Sequence, residues 1–143
     1  MQLETREIAY RQDVRPDVRA IAALYDGAPL RRPTADLERI RQMFEAANVV
    51  YSAWDRERLA GILRGWTDGN YHGFICDLAI APEYQNAGIG RRLLDMALAL
   101  SPRIEWILRA SAIAKDYYAH LGWEKIDNGW YRKRTDAGQS GAA

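Results

Sequence analysis

Cysteine is almost missing from this chain. Cys76 stands alone among 143 residues, so no internal disulfide can form and no Cys/His cluster of zinc spacing exists. An excess of charge of one sign is missing too. Lys and Arg number 20 against 19 Asp and Glu, a net charge of +1. That balance argues against nucleic acid held on a broad basic surface. No uninterrupted apolar run is long enough to span a bilayer, so no membrane partner is expected. The opening MQLETREIAY carries acids and no apolar signal region, which points to a cytoplasmic protein. Internal repeats and mid-chain linkers are also lacking. Hydrophobic residues make up 48% of the chain, enough for one packed core in a chain of ordinary domain length. One domain is expected over 1–134. The tail 135–143, TDAGQSGAA, has nothing to bury and is expected to fray.

Periodicity sets the expected elements. Leu3 to Ile8 alternates as an edge strand would. Val18, Ile21, Ala22 and Leu24 recur at helical spacing after Pro16, a residue accepted in a first turn, and Gly27 and Pro29 end that helix. Thr34 is the expected N-cap of a second helix bearing Leu37, Ile40, Met43 and Phe44. The period then drops to two. Strands are expected over Val49–Trp54, Leu59–Trp66 and Tyr71–Ile80, with Asp68-Gly69 as a hairpin signal. Gly90–Leu100 is an amphipathic helix, Ile104–Ala110 a strand, and Ala114–Leu121 a short helix closed by Gly122. Trp123–Ile126 and Trp130–Lys133 flank Asn128-Gly129 and read as a last hairpin. The order β α α β β β α β α β β is an α/β (α+β) arrangement, a meander followed by a βαβ crossover.

The segment that carries chemistry runs from Cys76 to Leu94. A strand enters a short loop with Gly88 and Gly90, and the loop opens a helix. Amides at a helix start have no internal partners, and the helix dipole adds positive charge there, so the turn suits a phosphate. Arg91 and Arg92 add full charge at its mouth. A dinucleotide fingerprint would need a third glycine where Leu93 stands. A P-loop would need lysine and a hydroxyl after Gly90. Both spacings fail, and what remains is Gln85-Asn86-Ala87-Gly88-Ile89-Gly90.

That hexapeptide resembles the acetyl-CoA motif of the GCN5-related N-acetyltransferases, [Gln/Arg]-x-x-Gly-x-[Gly/Ala]. Tyr117-Tyr118-Ala119-His120-Leu121-Gly122-Trp123 is similar to a second family segment, and the element order agrees over nearly the whole chain. The resemblance implies a mixed, mostly antiparallel sheet of six to seven strands with four helices, its fourth and fifth strands splayed around coenzyme A. It implies a pantetheine arm along Leu78, Ala79 and Ile80, and a pyrophosphate on the amides of Gln85, Asn86, Ala87, Gly88, Ile89, Gly90 and Arg91. Ser111 falls where many members place an asparagine that touches the cofactor arm. Tyr118 falls at the tyrosine that protonates the departing thiolate.

The base is less legible. Strand parity sets His72, Phe74, Cys76, Leu78 and Ile80 on one face and Asp77 with Ala79 on the other. Asp77 is the carboxylate candidate, acting through water or bracing a loop. Cys76 reads as a small buried hydrophobe rather than a nucleophile. The resemblance also implies an acceptor site at the loop bearing Arg31 and Arg32, together with Tyr71, where guanidinium forks suit a carboxylate or phosphate; a solvated basic loop is the alternative for the two arginines. The activity implied is acetyl transfer to a primary amine of a small molecule or peptide, without a metal and with a homodimer possible. The alternative is a non-catalytic acyl-CoA-binding module acting on a protein partner.

Overall fold

A computed structural model describes residues 7–112 and 114–136. One sheet of five strands carries the fold: β1 (Ala9–Arg11), β2 (Val49–Asp55), β3 (Arg58–Thr67), β4 (His72–Ile80) and β5 (Glu105–Leu108), side by side in chain order. All neighbours are antiparallel except β4 and β5, which run parallel. The helices are α1 (Val18–Gly27), α2 (Leu37–Ala46), α3 (Ile89–Leu98) and α4 (Lys115–His120), with a single 3-10 turn at Pro82–Tyr84.

Two layers of helix cover the sheet. From α1 and α2, Ile21, Tyr25, Ile40 and Phe44 are buried, and Tyr25 reaches Asp77 of β4. On the opposite face, α3 buries Ile89, Leu93, Leu94 and Ala97. Burying Leu93 and Leu94 contributes about 1.5–3 kcal/mol each. A Cβ on Gly61 would stand 2.8 Å from Ile80 Cδ1 and 3.1 Å from Ile89 Cγ2, so the bare backbone there lets both side chains, one from β4 and one from α3, pack close to β3.

Several expectations are corrected. The sheet has five strands among the described residues, not six or seven. The hairpin over Trp123–Ile126 and Trp130–Lys133 is absent, because a two-residue Asn-Gly turn needs positive φ at both positions and neither Asn128 nor Gly129 has it. The Asp68-Gly69 turn does form, with Gly69 at φ +77°. Asp68 Oδ1 there accepts the amides of Asn70, Tyr71 and His72. The first strand is Ala9–Arg11; of the expected Leu3–Ile8, residues 3–6 lie outside the described residues and Glu7 and Ile8 precede the strand. Pro16 precedes the α1 cap, Asp17. Asp36 replaces Thr34 as the α2 cap by accepting the Arg39 amide, while Thr34 donates its hydroxyl to Asp26. Residues 137–143 of the expected tail lie outside the described residues, whereas Asp136 pairs with Arg39.

Candidate active site

The site follows from two irregularities of β4. Its ladder with β5 runs from His72↔Glu105 to Ile75↔Leu108 and ends there, although β4 continues to Ile80. The edge of residues 76–80 that faces away from β3 is thus without a strand, and an extended ligand could add to it as a strand would. Second, the β3–β4 register shifts between Arg64 and Gly65. Arg64 pairs with Asp77 and Gly65 with Ile75, so Cys76 is an extra residue, a β-bulge.

The bulge overturns the strand-parity reading. Arg64 and Gly65 point to opposite faces, so Asp77 and Ile75 do too. Asp77 therefore shares a face with Phe74, and Phe74, Cys76 and Asp77 line one cleft. Leu78 and Ile80 turn toward α3 instead, where Leu78 approaches Gly90 and Ile80 approaches Gly61. Gly65 sits at the shift because a Cβ there would stand 2.6 Å from the Phe74 carbonyl oxygen. A glycine inside a strand pattern often marks a bulge, so Gly65 was the available sequence sign of this geometry.

Asp77 is 2% exposed and its carboxylate is fully engaged. Oδ1 accepts Arg32 Nε at 2.6 Å, while Oδ2 accepts the Tyr25 hydroxyl at 2.7 Å and Arg64 Nε. Burial alone would raise its pKa, but the Arg64 hydrogen bond and the charges of Arg64 and Arg32 outweigh it and hold the carboxyl below its ordinary range. Burial likewise opposes the Arg64 charge, and Asp77 overcomes it. Tyr25 is pushed well up, first by burial and then by the Asp77 charge, so it stays a donor. Arg32 also donates to the carbonyls of Cys76 and Arg31, which ties the α1–α2 loop to the bulge. The sequence reading missed Tyr25 and Arg64 in this group.

Two clefts meet at Cys76, Asp77, Arg32 and Arg109. The larger, about 380 Å³, opens on the α1–α2 side and includes Arg31 and Phe74. The smaller, about 50 Å³, lies where β4 and β5 part and brings Tyr118, Leu78 and Ser111 together with Asp77. Tyr118 packs edge-on against Tyr117 and Trp123. Burial, helped by Tyr117, pushes its phenol up to about 12, so it keeps its proton at neutral pH. Ser111 Oγ accepts the Ala114 amide at the entry to α4. Burial pushes the Cys76 thiol up, the opposite of an activated nucleophile. Tyr71 lies elsewhere: it is 67% exposed, stacks edge-on against His72 and lines neither cleft.

The glycine turn completes the site. Asn86 (φ +64°) and Gly88 (φ +79°) are left-handed, and Gly88 caps α3. The first intrahelical bond is Arg92 N–H to the Gly88 carbonyl at 3.1 Å, which leaves the amides of Ile89, Gly90 and Arg91 ahead of the ladder. Gln85, Asn86, Ala87 and Gly88 are exposed, and a Cβ at Gly88 would meet nothing within 4 Å. At Gly90 a Cβ would stand 2.8 Å from the Tyr117 hydroxyl, so its missing side chain leaves room for that phenol of α4. Gln85 braces the turn by donating to the Ile80 carbonyl at 3.4 Å.

A sheet parted beside an amide-lined turn, with a phenol on the gap, is the architecture of an acetyltransferase domain. Residues 27–136 match the acetyltransferase (GNAT) domain, and the chain belongs to that family. A search of curated sequences finds no match. Among solved structures, a protein of unknown function from meticillin-resistant Staphylococcus aureus, described as a probable acetyltransferase, superposes with a TM-score of 0.77 at 20% identity, over 90% of this chain and 100% of its own. A GNAT-family acetyltransferase from Streptococcus pneumoniae gives 0.69 at 21% identity, over 90% and 100%. AAC(6')-Iy, in complex with the bisubstrate analogue CoA-S-monomethyl-acetylneamine, gives 0.67 at 16% identity, over 90% and 99%.

Proposed function

We propose that the protein moves an acetyl group from acetyl-CoA to a primary amine by direct attack. The observation that carries this reading is the loss of β4–β5 pairing after Ile75, directly beside the exposed amides of the glycine turn and with Tyr118 on the gap. The residues fit the thioester co-substrate. The Gln85 amide is taken by the Pro82 carbonyl at 3.3 Å, so the main-chain donors that suit its diphosphate run from Asn86 to Arg91, and the free edge of Leu78, Ala79 and Ile80 suits its pantetheine arm.

The amine attacks the thioester carbonyl, and the oxyanion is stabilised by main-chain amide near Ala79 or Ile80. As the tetrahedral intermediate collapses, the C–S bond breaks and Tyr118 gives its proton to sulfur. Its raised pKa suits this role, because the phenol arrives protonated. Asp77 positions rather than abstracts. Both of its oxygens are occupied, so the amine proton leaves through water.

Thiol release from acetyl-CoA, measured with a panel of amino acids, polyamines, arylalkylamines and peptides, tests the reading. Tyr118→Phe is expected to lower kcat by about 10²-fold or more while leaving acetyl-CoA affinity nearly unchanged. No alkaline limb from Tyr118 is expected below pH 10, its ordinary value. Wild-type turnover in the variant removes the acid assignment. Absence of acetyl-CoA binding in the wild type removes the whole reading.

A further inference from the structure

The larger cleft is far more cationic than the chain that forms it. The chain as a whole carries +1, yet six arginines line this one cleft with a single carboxylate among them, Asp77. That carboxylate is consumed by Arg32 and Arg64, which share it. Arg39 has Asp136 at 3.6 Å, a long and exposed pair. Arg109 lies over the Tyr131 ring at 4.3 Å, which leaves its charge uncancelled. Arg31 is exposed, and its side chain makes no ion pair or hydrogen bond among the described residues. The two locked guanidiniums fix the wall, and Arg31 and Arg109 bring positive charge to it. Like charges held together around a concave wall repel one another, and an anion entering the cleft relieves that repulsion.

We infer that the acceptor is an amine that also carries an anionic group, a carboxylate or a phosphate, held by Arg31 and Arg109 in this cleft. The inference rests on the acetyl-transfer reading and narrows its substrate class. The two clefts join at Cys76 and Asp77, so an anion seated among the arginines directs the amine of the same molecule toward the β4–β5 gap. A polyamine or an unsubstituted arylalkylamine would bring a second positive charge, or no negative one, to the same wall and is disfavoured. Guanidinium forks accept carboxylate and phosphate alike, so the shared feature is the oxyanion.

Matched pairs decide the matter. Thiol release is compared for phosphoethanolamine against ethanolamine and for L-phenylalanine against 2-phenylethylamine, alongside the amine panel above. The anionic member of at least one pair is expected to show kcat/KM about tenfold or more above its partner. The phosphate pair and the carboxylate pair separate the two anion sources. Arg31→Ala is expected to remove most of that ratio by raising KM for the anionic amine, with acetyl-CoA affinity and melting temperature unchanged. Arg31→Lys should restore part of it, and Arg103→Ala, on an exposed loop outside the cleft, should leave it alone. Ratios at or below one in both pairs, a polyamine as best acceptor, or a ratio untouched by Arg31→Ala overturns the inference while leaving acetyl transfer standing. No transfer to any amine overturns both.

Discussion

The glycine turn and the Asp77 group handle charge in opposite ways. The turn at Asn86–Arg91 offers main-chain donors ahead of the α3 ladder and supplies no anion of its own. The Asp77 group brings the anion inside and surrounds it with two guanidiniums and a phenol, so nothing is left over. Exposure explains the difference. Amides of residues 86–88 can be left unpaired because water serves them between ligands. A carboxylate at 2% exposure has no such recourse and must be satisfied by protein. One region is built to bind, the other to hold.

The sharpest way to break this comparison is Asp77→Ala. It leaves Arg32 and Arg64 facing each other without a counter-charge, and breaking a buried pair this way costs about 3–5 kcal/mol. Thermal unfolding should show a large drop, with the bulge and the α1–α2 loop released together. The pH dependence has a defined sign. A carboxyl held below its ordinary 3.8 in the folded state stabilises fully above that value and loses this contribution as pH falls through the folded pKa. The wild-type advantage over Asp77→Asn should therefore be flat from about pH 5 to 8 and shrink only below about pH 4. A wild-type advantage that fades near neutrality would mean the carboxylate is not held in this way.

Gly65→Ala sharpens the same point from the backbone side. Its Cβ would stand 2.6 Å from a carbonyl oxygen, and backbone cannot swing aside as a side chain can. A stability loss of about 1–3 kcal/mol is expected, read as a lower melting temperature, with acetyl transfer impaired because the bulge sets Asp77 and Cys76. Unchanged stability would show that the register tolerates a straight ladder. This residue also explains what the sequence could and could not tell. A site made of main chain must be contiguous, so Gln85-Asn86-Ala87-Gly88-Ile89-Gly90 is readable as a word. The Asp77 group draws Tyr25 from α1, Arg32 from a loop and Arg64 from β3, up to 52 positions away. No local pattern joins them. Parity failed at Asp77 because one inserted residue reverses every later side chain. The last hairpin failed because Asn128-Gly129 has the composition of a tight turn without its backbone angles.

Gly88→Leu tests the other half of the comparison. The position is left-handed at φ +79°, so a side chain costs about 1–2 kcal/mol in strain, and the Cβ points into open space rather than into the core. The fold should survive. Acetyl-CoA affinity, read by calorimetry, should fall at least about tenfold as the side chain covers the amides of the turn. Full affinity in a folded variant would move the diphosphate off this turn and leave the amides without a ligand.

The smallest effect is expected where the two regions meet. Cys76 is the bulged residue and lines both clefts, so its position alone would suit an acyl-enzyme nucleophile. Its chemistry does not. Burial pushes the thiol up, and the opposing influence of Arg64 and Arg32 does not reverse that, so the thiolate needed for attack is scarce at neutral pH. Neither histidine lines the clefts to serve as its base. Cys76→Ala removes one sulfur from a partly exposed site, and activity should stay within about twofold with less than about 1 kcal/mol lost in stability. An inactive but folded Cys76→Ala, together with an acetylated wild-type protein detected by mass spectrometry, would replace direct attack with a covalent route.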